Sequence, residues 1–160
     1  MKDIDEYTSL GGTALYDAVH ESLARLKPAE GRRVVVVMTD GRDENAAANG
    51  PGSAVTYDQL LDELPGSGAL IYAIGLGSNV DRERLQALAA RTGGEAYFPE
   101  TVDTLAGEYA RIVENLRRQY VIGYTSTNSR RDGAWRAVSV TSRKDGVKIA
   151  SRGGYFAPAR

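Results

Sequence analysis

The hydrophobic positions of this chain change their period several times, and each change predicts an element. Leu15, Val19, Leu23 and Leu26 recur at helical spacing with Ala18 on the same face, and Pro28 and Gly31 end the pattern. Val34 to Thr39 is a continuous apolar run of strand length, which predicts a central, parallel strand covered on both faces. Tyr57, Leu60, Leu61 and Leu64 return to helical spacing and stop at Pro65 and Gly66. "ALIYAIGLG", from Ala69, is a second buried strand. Leu85, Leu88 and Ala89 mark a third helix closed by Gly93 and Gly94, and "EAYFPE" is a short strand. Val102, Leu105, Tyr109, Ile112, Val113 and Leu116 form the longest helical stripe of the chain. Strands alternating with helices at this rhythm predict a layered α/β fold with a mostly parallel sheet.

From Gln119 the period shortens to two. "QYVIGYTS", "AWRAVSVTS" and "VKIASRGGYF" alternate, with Asp132-Gly133 and Asp145-Gly146 between them. Asp-Gly is a hairpin signal because both turn residues must tolerate positive φ. The expectation is a small antiparallel β meander over residues 119–160, packed on or continuing an α/β body over residues 1–118. Trp135 and Tyr155 are expected to pack onto that body.

Composition narrows the classes of function. Lys plus Arg is 20 against Asp plus Glu 21, and no basic face interleaved with aromatics appears, so nothing points to nucleic acid. No apolar run approaches the roughly 20 residues of a membrane helix. The opening "MKDIDEYTSL" is acidic and polar and does not read as a signal peptide. The absence of cysteine excludes disulfides and thiolate zinc sites. A single histidine, His20, makes a histidine metal site or a Ser–His pair hard to build, and its expected role is structural or solvent-facing.

Candidate chemistry gathers at one strand end. In parallel α/β sheets, ligands bind outside the carboxyl ends of the strands, and Asp40 ends the valine run. A carboxylate there costs several kcal/mol to bury without a partner. Thr13 follows Gly11 and Gly12 at the start of the first helix, where it is placed to cap the helix. If that helix packs beside the valine strand, the hydroxyl and the carboxylate converge, and both are hard oxygen ligands of the kind Mg²⁺ or Ca²⁺ takes. Asp17 is expected to stabilise the helix N-terminus, and Asp43, Glu44 and Asn45 to form a solvated loop.

"SLGGTALYDAV" and "VVVVMTDGRDEN" resemble the second and third ligand segments of the von Willebrand factor A domain. "LIYAIGLG" and "LQALAARTGGEAYF" resemble the strand and helix that follow in that family. "LRRQYVIGYTSTN", the "WR" strand and "RGGYFAP" resemble a bacterial subgroup with a C-terminal β extension. The resemblance implies a three-layer, Rossmann-like fold and a metal-ion-dependent adhesion site, with Thr13 and Asp40 as metal ligands. It implies Mg²⁺, with Ca²⁺ or Mn²⁺ as alternatives, and a protein partner that presents an acidic side chain to the metal. It further implies an exported or cell-surface parent protein.

The family's first ligand segment, Asp-x-Ser-x-Ser, occurs nowhere in these 160 residues. The chain therefore reads as a partial domain lacking the first strands, with weak metal binding. One edge of Val34–Thr39 is then expected to lack its neighbour, a route to self-association. An inactive fragment with a structural or oligomerisation role is the alternative to a binding module. A metal-assisted hydrolase is disfavoured, because no Gly-x-x-x-x-Gly-Lys-[Ser/Thr], Gly-x-Ser-x-Gly, His-Glu-x-x-His or strand-end Asp-x-Asp is present. The reading is that the protein is not an enzyme.

Overall fold

One parallel ladder organises the molecule. In the computed structural model, which describes residues 11–120, 122–147 and 149–159, β1 (Arg33–Thr39) runs parallel to β2 (Ala69–Gly75). The register sets Arg33 opposite Ala69 and Thr39 opposite Gly75, and β3 (Ala96–Tyr97) pairs with the other side of β2. The polar lead, with Ser9 of the Gly-Gly-Thr segment, lies outside the described residues, as do Val121 and Lys148 of the expected tail strands.

Alternation along the strands sorts their side chains onto two faces. Val35, Ile71 and Ala73 join Val19, Leu60, Leu64, Leu85 and Leu88 in one buried cluster. That cluster lies beneath α1 (Leu15–Leu26), α2 (Tyr57–Ser67) and α3 (Arg82–Thr92). Tyr72 and Ile74 face the other way and meet Ile112 of α4 (Val102–Arg118). Each fully buried leucine contributes about 1.5–3 kcal/mol, so the three-helix face carries most of the apolar stabilisation. These are the three layers of a Rossmann-like fold.

The doubly covered strand is β2, not β1 as the valine run implied. Val36 and Met38 remain 40% and 58% exposed on the α4 side of the sheet. α4 packs over β2, β3 and the Val34 end of β1 and stops short of these two side chains. Among the described residues β1 has no strand partner besides β2. The helical stripe of α4 is correspondingly half used: Ile112 is buried, while Tyr109 is 56% exposed. A two-residue β3 gives the sheet too little width beneath the helix to cover the rest.

Local chemistry explains the helix ends. Thr56 and Gln59 form a capping box at the start of α2, with Gln59 N donating to Thr56 Oγ1 at 3.2 Å and Thr56 N to Gln59 Oε1 at 2.8 Å. Pro65 was expected to close this helix. It continues to Ser67, whose hydroxyl donates to Leu64 O at 2.8 Å, and Gly68 ends it in the left-handed region. At the end of α3, Thr92 Oγ1 donates to Ala89 O at 2.9 Å and accepts from Ile71 N at 2.8 Å, which ties the helix to β2.

The tail departs from the expected meander. Its described strands are β4 (Trp135–Ala137) and β5 (Gly154–Phe156), antiparallel, with Trp135 opposite Phe156. Asp145-Gly146 falls within the long connection between them and not in a two-residue hairpin. Ile122, Tyr124, Val140, Val147 and Ile149 are all exposed. Alternation stabilises a strand by packing one face, and these positions find no apolar layer to face. β5 nevertheless lies against the body, where Arg152 Nη2 donates to Gly68 O at the end of α2. Trp135 and Phe156 meet edge to face at 5.0 Å, and Tyr155 meets Tyr124 at 6.4 Å.

Candidate functional site

The carboxyl ends of β1 and β2 form one rim of the molecule. Leu76 N donates to Thr39 O at 2.9 Å, which holds the loop after β2 across the end of β1. Thr39 is buried, and its hydroxyl donates to Gly41 O at 2.9 Å while accepting from Gly41 N at 3.2 Å. This bracket folds the chain around Asp40 and leaves that residue exposed. Its carboxylate has no hydrogen-bond or ion-pair partner among the described residues.

Thr13 reaches the same rim through backbone pairing. Thr13 N donates to Glu44 O at 2.7 Å and Glu44 N to Thr13 O at 3.2 Å, an antiparallel bridge between the Gly-Gly-Thr loop and the loop after β1. The approach is close enough to require glycine. A Cβ on Gly12, whose φ is +75°, would lie 2.8 Å from Ala46 N, and one on Gly52 would lie 2.2 Å from Thr13 O. The half-buried Thr13 places Oγ1 3.2 Å from where a Cβ on Gly41 would sit. The hydroxyl therefore stands beside Gly41, the residue that follows Asp40.

Thr13 does not cap α1. The N-cap position is Ala14, which makes no side-chain cap. Ser53 replaces it from a distant loop, accepting from Tyr16 N and Asp17 N at 3.0 Å each. Asp43 stands behind Ser53. Its Oδ1 accepts from the Ser53 hydroxyl and from Tyr16 N at 3.2 Å, and its Oδ2 accepts from Gly52 N and Ser53 N at 3.1 Å each. Burial pushes the Asp43 pKa up, but the hydrogen bonds from Ser53, Tyr16 and Gly52 outweigh it and hold the carboxyl below its ordinary range. Asp17 reciprocates from the helix, accepting from Ala54 N at 2.9 Å and Val55 N at 2.8 Å.

The loop after β1 is thus built structure and not the solvated segment expected for Asp43, Glu44 and Asn45. Asn45 closes it further, accepting from Asn49 N at 3.2 Å and pairing its own N–H with Gly50 O at 2.9 Å. No local signal marks these partners, because Asp43 and Ser53 meet α1 across 27 to 37 residues of chain.

A recess of about 280 Å³ opens beside this loop, bordered by Tyr16, Arg42, Asp43, Glu44, Asp81 and Arg84. Arg84 crosses it, donating to Tyr16 OH at 2.8 Å, pairing with Asp81 at 3.4 Å and lying 4.9 Å over the Tyr57 ring. His20 lies elsewhere, bonded to Glu63 Oε2 at 2.6 Å between α1 and α2, in agreement with a structural role.

The donor set at the rim is one hydroxyl and one carboxylate, both hard oxygens. Among the described residues no group of three or more His, Asp or Glu side chains is placed to hold a metal ion. The arrangement fits an oxygen-seeking divalent cation only as part of a shell. No curated protein matches the sequence. The family model of the von Willebrand factor type A domain matches residues 1–111, from the polar lead through the three parallel strands to the middle of α4, and leaves the β tail outside. With that match over most of its length and a parallel sheet between helical layers, the chain belongs to the von Willebrand factor type A domain family.

Proposed function

We propose that this domain is a protein-interaction module whose contact point is the rim around Asp40. Protein interaction is the general role of the family. The finer reading, an adhesion-type metal site, is supported by one observation: Thr13 Oγ1 stands beside Gly41, the residue after Asp40, and neither side chain is spent on bonds within the described protein. Ser53 caps α1, and Thr13 lies one residue before the cap position at Ala14. Gly41 contributes by leaving space, since a side chain there would press on the threonine hydroxyl.

Thr13 and Asp40 would hold Mg²⁺, or Ca²⁺ or Mn²⁺ in its place, and the cation would supply a positive point for an acidic side chain of the partner. Mg²⁺ takes six oxygens near ~2.1 Å and gives up water reluctantly. Two ligands from this chain leave most of the shell to water and partner, so affinity is low in the partner's absence. No part of this reading requires bond breaking, and the protein acts without catalysis.

Thermal stability under metal titration tests it, because a ligand of the folded state raises the unfolding midpoint as its concentration passes Kd. The midpoint should rise in millimolar Mg²⁺ or Mn²⁺, and the rise should vanish in Asp40→Ala and shrink in Thr13→Val. A flat response in the wild type, or an equal response in Asp40→Ala, defeats the metal reading.

Among the described residues β1 pairs only with β2, which supports a second reading, self-association through the other edge of that strand.

A further inference from the structure

A second cavity, of about 570 Å³, lies where the tail meets the body, at the end of the parallel strands opposite Thr13 and Asp40. Leu64 and Ala69 form an apolar floor, Trp135 and Phe156 an aromatic wall, and Arg152 and Arg91 the cationic border. Its volume falls in the range of small-molecule sites, roughly 300–1,000 Å³.

The charge at this cavity is unbalanced. Arg152 Nη2 donates to Gly68 O, and Arg33 Nη1 donates to Ser67 O at 3.1 Å. Two guanidinium groups thus converge on the last carbonyls of α2, the end that attracts cations. Neither has a carboxylate within ion-pair distance among the described residues. Asp62 is the one acid on the cavity border and pairs with neither. A guanidinium carries five N–H groups, and the described residues engage a single one on Arg152. Desolvation and the charge of Arg33 both lower the Arg152 pKa, a field that a bound anion would relieve.

We infer that this cavity binds a monoanionic carboxylate carried on a flat apolar body. The planar guanidinium matches a carboxylate through paired N–H···O bonds. Trp135 and Phe156, already edge to face, offer ring edges and faces to an aromatic group. Of the charged groups that border the cavity, Arg91 and Arg152 outnumber Asp62 by one charge, which a single carboxylate offsets. This site is independent of the rim.

Trp135 is the only tryptophan of the chain and reports on its own wall. The full chain is titrated with phenylacetate while its fluorescence is followed. The expected result is a saturable change, with affinity weakened by about tenfold or more in Arg152→Gln and little response to the neutral phenylacetamide or to inorganic phosphate. Because Arg152 also holds the end of α2, circular dichroism accompanies that variant. Ala90→Phe fills the cavity from α3 while keeping Arg152 in the sequence and should block phenylacetate as well. No saturable change in the wild type overturns the inference. So does an equal response to phenylacetamide or phosphate, or wild-type binding in both variants.

Discussion

Ser53 donates its hydroxyl proton to Asp43 Oδ1 while its oxygen receives the N–H groups of Tyr16 and Asp17 at 3.0 Å each. The start of α1 is therefore capped by a residue from a loop that lies beyond β1. This relation fastens the loop carrying Asp43 to the helix beside the rim. Stability and the candidate site rest on the same few bonds.

Ser53→Ala removes the acceptor for both helix N–H groups and the donor to Asp43. It should lower unfolding stability by about 1–3 kcal/mol, measured by urea denaturation with an unchanged slope. A loss well under half a kcal/mol would mean that Asp43 alone caps the helix.

Asp43 sets an acid limb in the stability profile. Its folded pKa lies below the unfolded value, because hydrogen bonds from Ser53, Tyr16 and Gly52 overcome the effect of burial. Its contribution is complete above the ordinary aspartate pKa near ~3.9 and fades as pH falls through that value to the folded one. Denaturation series at decreasing pH should show this decline in the wild type. In Asp43→Asn the curve should start lower at neutral pH and decline less steeply.

Gly52→Ala should be among the most damaging small substitutions. The added methyl would lie 2.2 Å from Thr13 O and 2.7 Å from Glu44 O, both backbone atoms. Either the loop moves, which breaks the Gly52 N to Asp43 bond, or the Thr13–Glu44 bridge opens. A loss of about 2 kcal/mol or more is expected by thermal or chemical unfolding. Gly66→Ala, where nothing lies within 4 Å, is the control and should be tolerated.

Met38→Lys tests the edge of β1 that pairs with no strand among the described residues. Met38 is 58% exposed beside Val36, so a charge there costs little in the monomer and discourages edge pairing. Sedimentation equilibrium should show concentration-dependent association of the wild type that weakens in the variant. A wild type that stays monomeric over the accessible concentrations rules out association through this strand.

Elements with a strong period were legible from the sequence, because their stabilising contacts follow chain spacing. α1, α3 and α4 and the strands β1, β2 and β3 stand where apolar periodicity predicts them. The strand-end position of Asp40 and the glycine-bearing approach of Thr13 were legible for the same reason. Coverage was not. Four valines in a row state that a strand is apolar, but whether a helix reaches Val36 and Met38 depends on how wide the sheet beneath α4 becomes. The alternating tail likewise declares strand propensity at Ile122, Tyr124 and Val140, and only an opposing apolar layer could have turned it into a sheet. The cap of α1 belonged wholly to the tertiary structure. Thr13 is the residue that local rules favour as the cap, yet the cap position falls on Ala14, and Ser53 and Asp43, brought from across the chain, take the helix N–H groups instead. Periodic burial is written along the chain, whereas a hydrogen-bond network across 37 residues exists only once the fold has brought its members together.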